Sequence, residues 1–249
     1  MYSSNYDLKS FYNGRVGRVV RRIMQERIRQ FWPDIRDERL LGCGYAVPYL
    51  RVFKAEAERI CAMMDAGQGA HHWPHDDHNC VFLSEHGDLP IETNSIDRLI
   101  MIHDLEFAQE PHRNLDEAWR VLKSSGRLLI IVPNRSGLWA HTDWAPFGHG
   151  TPYSMSQLCH KLRENKFVFE RSEEALFMPP VKFSPLIKAA GLFENIGSKY
   201  LPIVAGVHMV EASKQIYARV DGGKGARIKG PGARVLVPKT VRTRDAKGA

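Results

Sequence analysis

Cysteine is scarce in this sequence, and the four residues present, Cys43, Cys61, Cys80 and Cys159, form no C-x-x-C pair. That spacing offers neither a cysteine zinc site nor a disulfide framework, as expected of thiols kept reduced. Long apolar runs are missing as well. The longer ones, such as "LLIIVP" at 128–133, fall far short of the roughly 20 residues that a membrane-spanning helix needs. The first 30 residues carry arginines where a secretory signal would carry an apolar core, so a cytoplasmic location is expected.

Acidic excess is absent too, but the net charge of +7 is not spread along the chain. Residues 219–249 hold nine Lys or Arg against Asp221 and Asp245, which leaves 26 of each sign in residues 1–218. The body is neutral. The last stretch, "RVDGGKGARIKGPGARVLVPKTVRTRDAKGA", has no aromatic residue and is rich in Gly, so it is expected to stay disordered. Its charge suits an acidic membrane surface, RNA or a protein partner, and the sequence leaves that choice open.

With 249 residues, 43% apolar and 25% charged, the chain has material for one sizeable core. Near its start, Phe11, Val16, Val19, Val20, Ile23, Met24, Ile28 and Phe31 recur at helical spacing, with arginines filling the other positions. This predicts an amphipathic helical cap over residues 1–34, ended by Pro33. From residue 40 onward apolar runs alternate with helical patterns, as in a doubly wound parallel sheet. Strands are predicted near 38–42, 59–64, 79–83, 97–102 and 127–133. A helix is predicted within 113–127, with Leu115, Ala118, Trp119 and Leu122 on one face, Asp116 and Glu117 in its first turn, Lys123 in its last and Gly126 beyond. Two antiparallel strands, 194–202 and 206–217, are expected to close the sheet, although Gly197 and Pro202 weaken the first.

Several short motifs carry a family resemblance. Leu89-Pro90, the Asn94-Ser95-Ile96-Asp97 turn, Leu105-Glu106 and the Trp119-Arg120-Val121-Leu122-Lys123 helix end fall in order within residues 87–134. With the Gly42-Cys43-Gly44 turn upstream and "PYSMSQL" at 152–158, the stretch resembles class I S-adenosylmethionine-dependent methyltransferases of the type 11 branch. The resemblance covers roughly 35–215 and includes a bacterial subgroup with the same "GYAVPYL" and "PFGHGTPYS". It implies an α/β, Rossmann-like, doubly wound and mostly parallel seven-stranded sheet with helices on both faces. The methyltransferase-like domain is expected to span 35–218.

The cofactor implied is S-adenosylmethionine. In such a fold a strand's carboxyl end opens into the crevice, and glycines there let the backbone approach the ligand. Gly42, Cys43, Gly44 and Tyr45 are therefore expected to line it, with Asp65 on the ribose and Glu85, or next Asp88, on the adenine amine beside Leu89. The family usually has an acid two residues before the first glycine, where this chain has Leu40. The third glycine is replaced by Ala46 or Val47, depending on register.

Methyl transfer asks chiefly for alignment of a nucleophile, and for a base only where that nucleophile must lose a proton. His103, in "IHDLEF", is the candidate base, or else a polar residue that closes the pocket. The loop after the fifth strand offers Arg135, Trp139, His141, Asp143, His149 and Tyr153 as a substrate wall, with a purely structural loop as the alternative. "HHWPHDDHNC" at 71–80 matches no ordered zinc pattern, so exposed loop histidines and no metal are expected. The resemblance implies methyl transfer to a small organic molecule. An inactive methyltransferase-fold protein that binds or regulates a partner is the alternative, for which the lost acids and the basic tail speak.

Overall fold

The computed structural model describes residues 4–85, 87–200 and 204–215, so the basic stretch 219–249 lies outside the described residues. Two helices open the chain where the spacing suggested one: α1 (Asn5–Asn13) and α2 (Arg15–Phe31). Gly14 divides them in an extended conformation, and its N–H closes α1 on the carbonyls of Ser10 and Phe11. The turn is tight. A Cβ on Gly17 would stand 2.0 Å from the Phe11 carbonyl oxygen. Ser4 caps α1, and α2 ends at Trp32, ahead of Pro33.

The strands are β1 (Arg39–Gly44), β2 (Arg59–Asp65), β3 (Val81–Ser84), β4 (Ile96–Ile102), β5 (Leu122–Pro133), β6 (Phe167–Ala175) and β7 (Val207–Lys214). Between them run α3 (Val47–Leu50), α4 (Pro111–Val121), α5 (Met155–Glu164), α6 (Ser184–Lys188) and α7 (Ala190–Tyr200). The strand order is β3-β2-β1-β4-β5-β7-β6. The first five strands are parallel, and β7 is antiparallel to both β5 and β6, so the sheet is mixed. Between β1 and β4 the winding reverses, which opens a crevice at their carboxyl ends.

Alternation along the strands builds two cores. Leu40, Met64, Ile100, Ile102, Leu129 and Ile131 pack with α1 and α2. Leu41, Met63, Leu99, Met101, Leu128 and Ile130 pack with α4 and α5.

Three sequence expectations change. The stretch 194–202, expected as a strand, lies mostly in α7, where Gly197 is fixed by close approach: a Cβ there would meet the Phe177 ring at 2.4 Å. The helix expected within 113–127 is α4, which starts at Pro111 and stops at Val121. Leu122, Lys123 and Gly126 belong to β5, and Asp116 and Glu117 sit in mid-helix. β7's antiparallel outer partner is β6, an edge strand whose middle residues Glu170, Arg171 and Ser172 are exposed.

β7 also buries two charged side chains on opposite faces. Glu211 accepts hydrogen bonds from Trp32 Nε1 at 2.7 Å and Arg171 Nε at 2.8 Å, and Arg127 stands 3.2 Å away. This ties the end of α2 to the sheet. Lys214 Nζ donates to Asn94 Oδ1 and the Leu122 carbonyl and lies 4.1 Å from the centre of the Trp119 ring, while burial lowers its pKa.

Candidate active site

At the end of β1 the two glycines are explained by packing within the protein. A Cβ on Gly42 would meet Ala46 Cβ at 2.6 Å and Leu50 Cδ1 at 2.9 Å. Gly44 has φ +75°, and a Cβ there would stand 2.4 Å from the Ile102 carbonyl oxygen and 2.7 Å from that of His103. The ends of β1 and β4 thus touch backbone to backbone, and the Tyr45 N–H adds a 2.9 Å hydrogen bond to the Ile102 carbonyl. Cys43 faces the opposite core, where burial and then the Asp104 charge push its thiol pKa well up. Leu40, at the position of the family's acid, is 1% exposed and packs in the core under α2.

The open part of the crevice lies over β2 and β3. Asp65 ends β2 opposite Ser84 of β3, and Glu85 follows directly. Both carboxylates line a cavity of about 350 Å³ together with Gln68, Phe107, Gln109, Glu110, Arg113 and Asn114. That volume lies within the range of small-molecule sites. Asn114 also borders a hollow of about 10 Å³ among Cys43, Met63, Leu89 and Met101, which at most admits one water. Asp88 is exposed outside the cavity, and its carbonyl accepts from the Ser84 hydroxyl. Leu89 is buried, its N–H held at 2.9 Å by Glu117, whose carboxyl the Arg120 guanidinium keeps below the usual range.

Three carboxylates and three side-chain amides around one cavity, with Glu110 beside Arg113, fit the nucleoside part of S-adenosylmethionine. Their oxygens accept from hydroxyl and amino groups, and the Phe107 ring offers an apolar wall. Gln68, Phe107, Gln109, Glu110, Arg113 and Asn114 were not among the residues the sequence pointed to. Asn114 had a visible signal, since it is a polar residue on the apolar face of α4, beside Leu115 and Ala118.

His103 is buried at the end of β4 with φ +52° and closes a chain of hydrogen bonds. Tyr49 Oη donates to Tyr12 Oη at 2.7 Å, Tyr12 Oη lies 2.7 Å from His103 Nε2, and His103 Nδ1 lies 3.2 Å from Glu106 Oε1. A proton on Nδ1, shared with the Glu106 carboxylate, leaves Nε2 to accept from Tyr12. Burial, and next the neighbouring Tyr49, push the Tyr12 phenol well above its ordinary pKa. Tyr12 also stacks on Tyr45, and Phe147 lies 4.9 Å from the imidazole centre. Replacing Tyr12 with Phe removes the partner of Nε2 and should destabilise the chain by about 1–3 kcal/mol in urea unfolding. A folded-state phenol pKa above the unfolded value means stability present below about pH 10 and lost as the pH rises further. In Tyr12→Phe that alkaline loss should be shallower.

The loop between β5 and α5 does not gather into one wall. Trp139 is fully buried and donates to the Met178 carbonyl at 2.7 Å. Tyr153 is buried against the Leu105 carbonyl, its pKa pushed up to about 12 by burial and then Glu106. Both are core, which corrects the expectation that they line a substrate pocket. Arg135, His141 and Asp143 are exposed, and His149 Nε2 bonds the Asp143 carbonyl at 2.8 Å. In the histidine-rich stretch, His71 Nε2 lies 3.3 Å from Tyr45 Oη. Among the described residues no group of three His, Cys, Asp or Glu side chains is arranged to hold a metal.

Comparisons with known proteins agree with this architecture. Residues 41–130 match a family described as a methyltransferase domain. No curated protein matches the chain in sequence. Among solved structures, a chain from the complex between the Haloferax volcanii Trm112 methyltransferase activator and a methyltransferase superposes with TM-score 0.61 at 15% identity, covering 86% of this chain and 99% of its own. An S-adenosylmethionine-dependent methyltransferase from Thermotoga maritima gives 0.58 at 16% identity, with 84% and 95% covered. One from Archaeoglobus fulgidus gives 0.57 at 16% identity, with 78% and 94% covered. Identities this low speak for the fold, and the family match adds the type of domain. Residues 41–130 thus match a methyltransferase domain, and the fold around them is the one seen in S-adenosylmethionine-dependent methyltransferases.

Proposed function

We propose that the chain transfers a methyl group from S-adenosylmethionine to a small organic molecule in the cytoplasm. The observation that supports this most is the cavity shared by Asp65 and Glu85 at the carboxyl ends of β2 and β3. Asp65 would take the ribose hydroxyls and Glu85 the adenine amine, while Gln68 and Asn114 hold the rim. When bound, S-adenosylmethionine supplies a methyl carbon activated by its sulfonium; the acceptor's lone pair bonds to that carbon as the carbon–sulfur bond breaks, with its electron pair left on sulfur.

The protein's own work is then to orient and to exclude water. His103 is a positioning residue here, because both ring nitrogens are engaged, one by Glu106 and one by Tyr12. It holds α1 over the end of β4. The four free cysteines suit a reducing compartment, and no described helix is long and apolar enough to cross a membrane.

Calorimetric titration with S-adenosylmethionine and S-adenosylhomocysteine tests the proposal. Saturable one-site binding is expected, weakened about tenfold to a hundredfold in Asp65→Ala, which loses charge-assisted hydrogen bonds. Wild-type protein that is folded, ligand-free and unable to bind either compound would sink it, as would an Asp65→Ala variant that binds as tightly as wild type.

A further inference from the structure

Two adjoining hollows share no lining residue with the Asp65 cavity. One, of about 560 Å³, is bordered by Phe11, Arg15, Val16, Trp144, Lys182 and Ile187. The next, of about 580 Å³, shares Arg15 and Ile187 and adds Arg22 and Lys188. Together they make one groove between the α1–α2 turn and the 182–188 segment.

The groove is aromatic at one end and cationic along its length. Phe11 and Trp144 stand with ring centres 6.3 Å apart, and Lys182 Nζ lies 4.8 Å from the centre of the Trp144 ring. Four cations, Arg15, Arg22, Lys182 and Lys188, face a single carboxylate, Asp7, which already accepts from the Ser4 hydroxyl at 3.0 Å. Arg22 does pair with Glu26, but at 3.9 Å and with both side chains well exposed, which neutralises little. Apolar surface flanked by unbalanced positive charge recognises a molecule of the opposite kind.

We propose that this groove binds a small anion with a flat apolar body, its ring on Trp144 and its negative group towards Lys182 and Arg15, at a site separate from the cofactor crevice. Phe11 lines the groove while its neighbour Tyr12 bonds His103 at the end of β4, so α1 stands between the two.

The test uses 1-naphthoate and 1-naphthylmethylammonium, which share a ring system and differ in charge, titrated against the full chain by calorimetry. Naphthoate should saturate one site and bind at least about tenfold more tightly than the ammonium. Lys182→Glu, a change at an exposed residue, should erase that preference, and Trp144→Leu should weaken both probes. Asp65→Ala should leave naphthoate binding as it is. Equal affinity for the two probes, no saturable binding of naphthoate, an unchanged preference in Lys182→Glu, or loss of naphthoate binding in Asp65→Ala would each overturn the assignment. Naphthoate bound in the groove by a protein that fails to bind S-adenosylmethionine would keep the anion site and overturn only the methyl transfer proposed above, so the two failures are told apart.

Discussion

Glu211→Ala is expected to destabilise the chain by about 3 kcal/mol, at the low end of the range for breaking a buried ion pair. The carboxylate is 1% exposed and joins three partners from separate parts of the chain, Trp32, Arg127 and Arg171. Removing it strands the indole N–H of Trp32, which is itself buried. The two guanidiniums lose less, because both side chains are about two-fifths exposed and can turn to water. Glu211→Gln keeps an acceptor for Trp32 and gives up the charge, so it should fall between wild type and Glu211→Ala. Urea unfolding monitored by circular dichroism reads all three. An unchanged midpoint in Glu211→Ala would show that packing of Phe31 and Trp32 alone holds α2.

Gly44→Ala is expected to cost about 2–5 kcal/mol, the sum of a left-handed alanine at about 1–2 and forced displacement of a packed neighbour at about 1–3. The neighbour here is backbone, the carbonyls of Ile102 and His103, and backbone inside a sheet yields little. Gly69 supplies the control. Its φ is +79°, but a Cβ there meets nothing within 4 Å, so Gly69→Ala should show the conformational part alone. Equal thermal stability of the two variants would mean that the β4 carbonyls give way and crowding is not what requires Gly44. One consequence bears on binding experiments. Loss of S-adenosylmethionine affinity in a Gly44 variant would report distortion where β1 meets β4, and Asp65 is the cleaner probe.

Five strands and the type of domain were legible in the sequence because parallel strands buried on both faces read as continuous apolar runs. "RLIMI" and "RLLIIVP" have few other ways to be satisfied. β6 was not legible, since its "FERSEEA" carries edge-strand polarity and looks like a loop. α7 was misread because a helix containing Gly197 and followed by Pro202 imitates a broken strand, and only the Phe177 ring explains the glycine. Asp65 and Glu85 could be placed from the ends of β2 and β3, as local sequence sets both. The partner of His103 could not: Tyr12 lies 91 residues away and looked like one more residue of an amphipathic cap. The cationic groove was equally hidden, because Phe11, Trp144 and Lys182 meet only after α1 has docked.

Phe11 and Tyr12 are consecutive, yet they border different compartments. One turn of helix carries both, so a displacement of α1 that reshapes the groove also strains the Tyr12–His103 bond. Such coupling is reciprocal by thermodynamic necessity: if a groove ligand changes cofactor affinity by some factor, the cofactor changes that ligand's affinity by the same factor. Cooperativity between two bound molecules would then need no contact between them, only the shared stiffness of nine residues at the start of the chain.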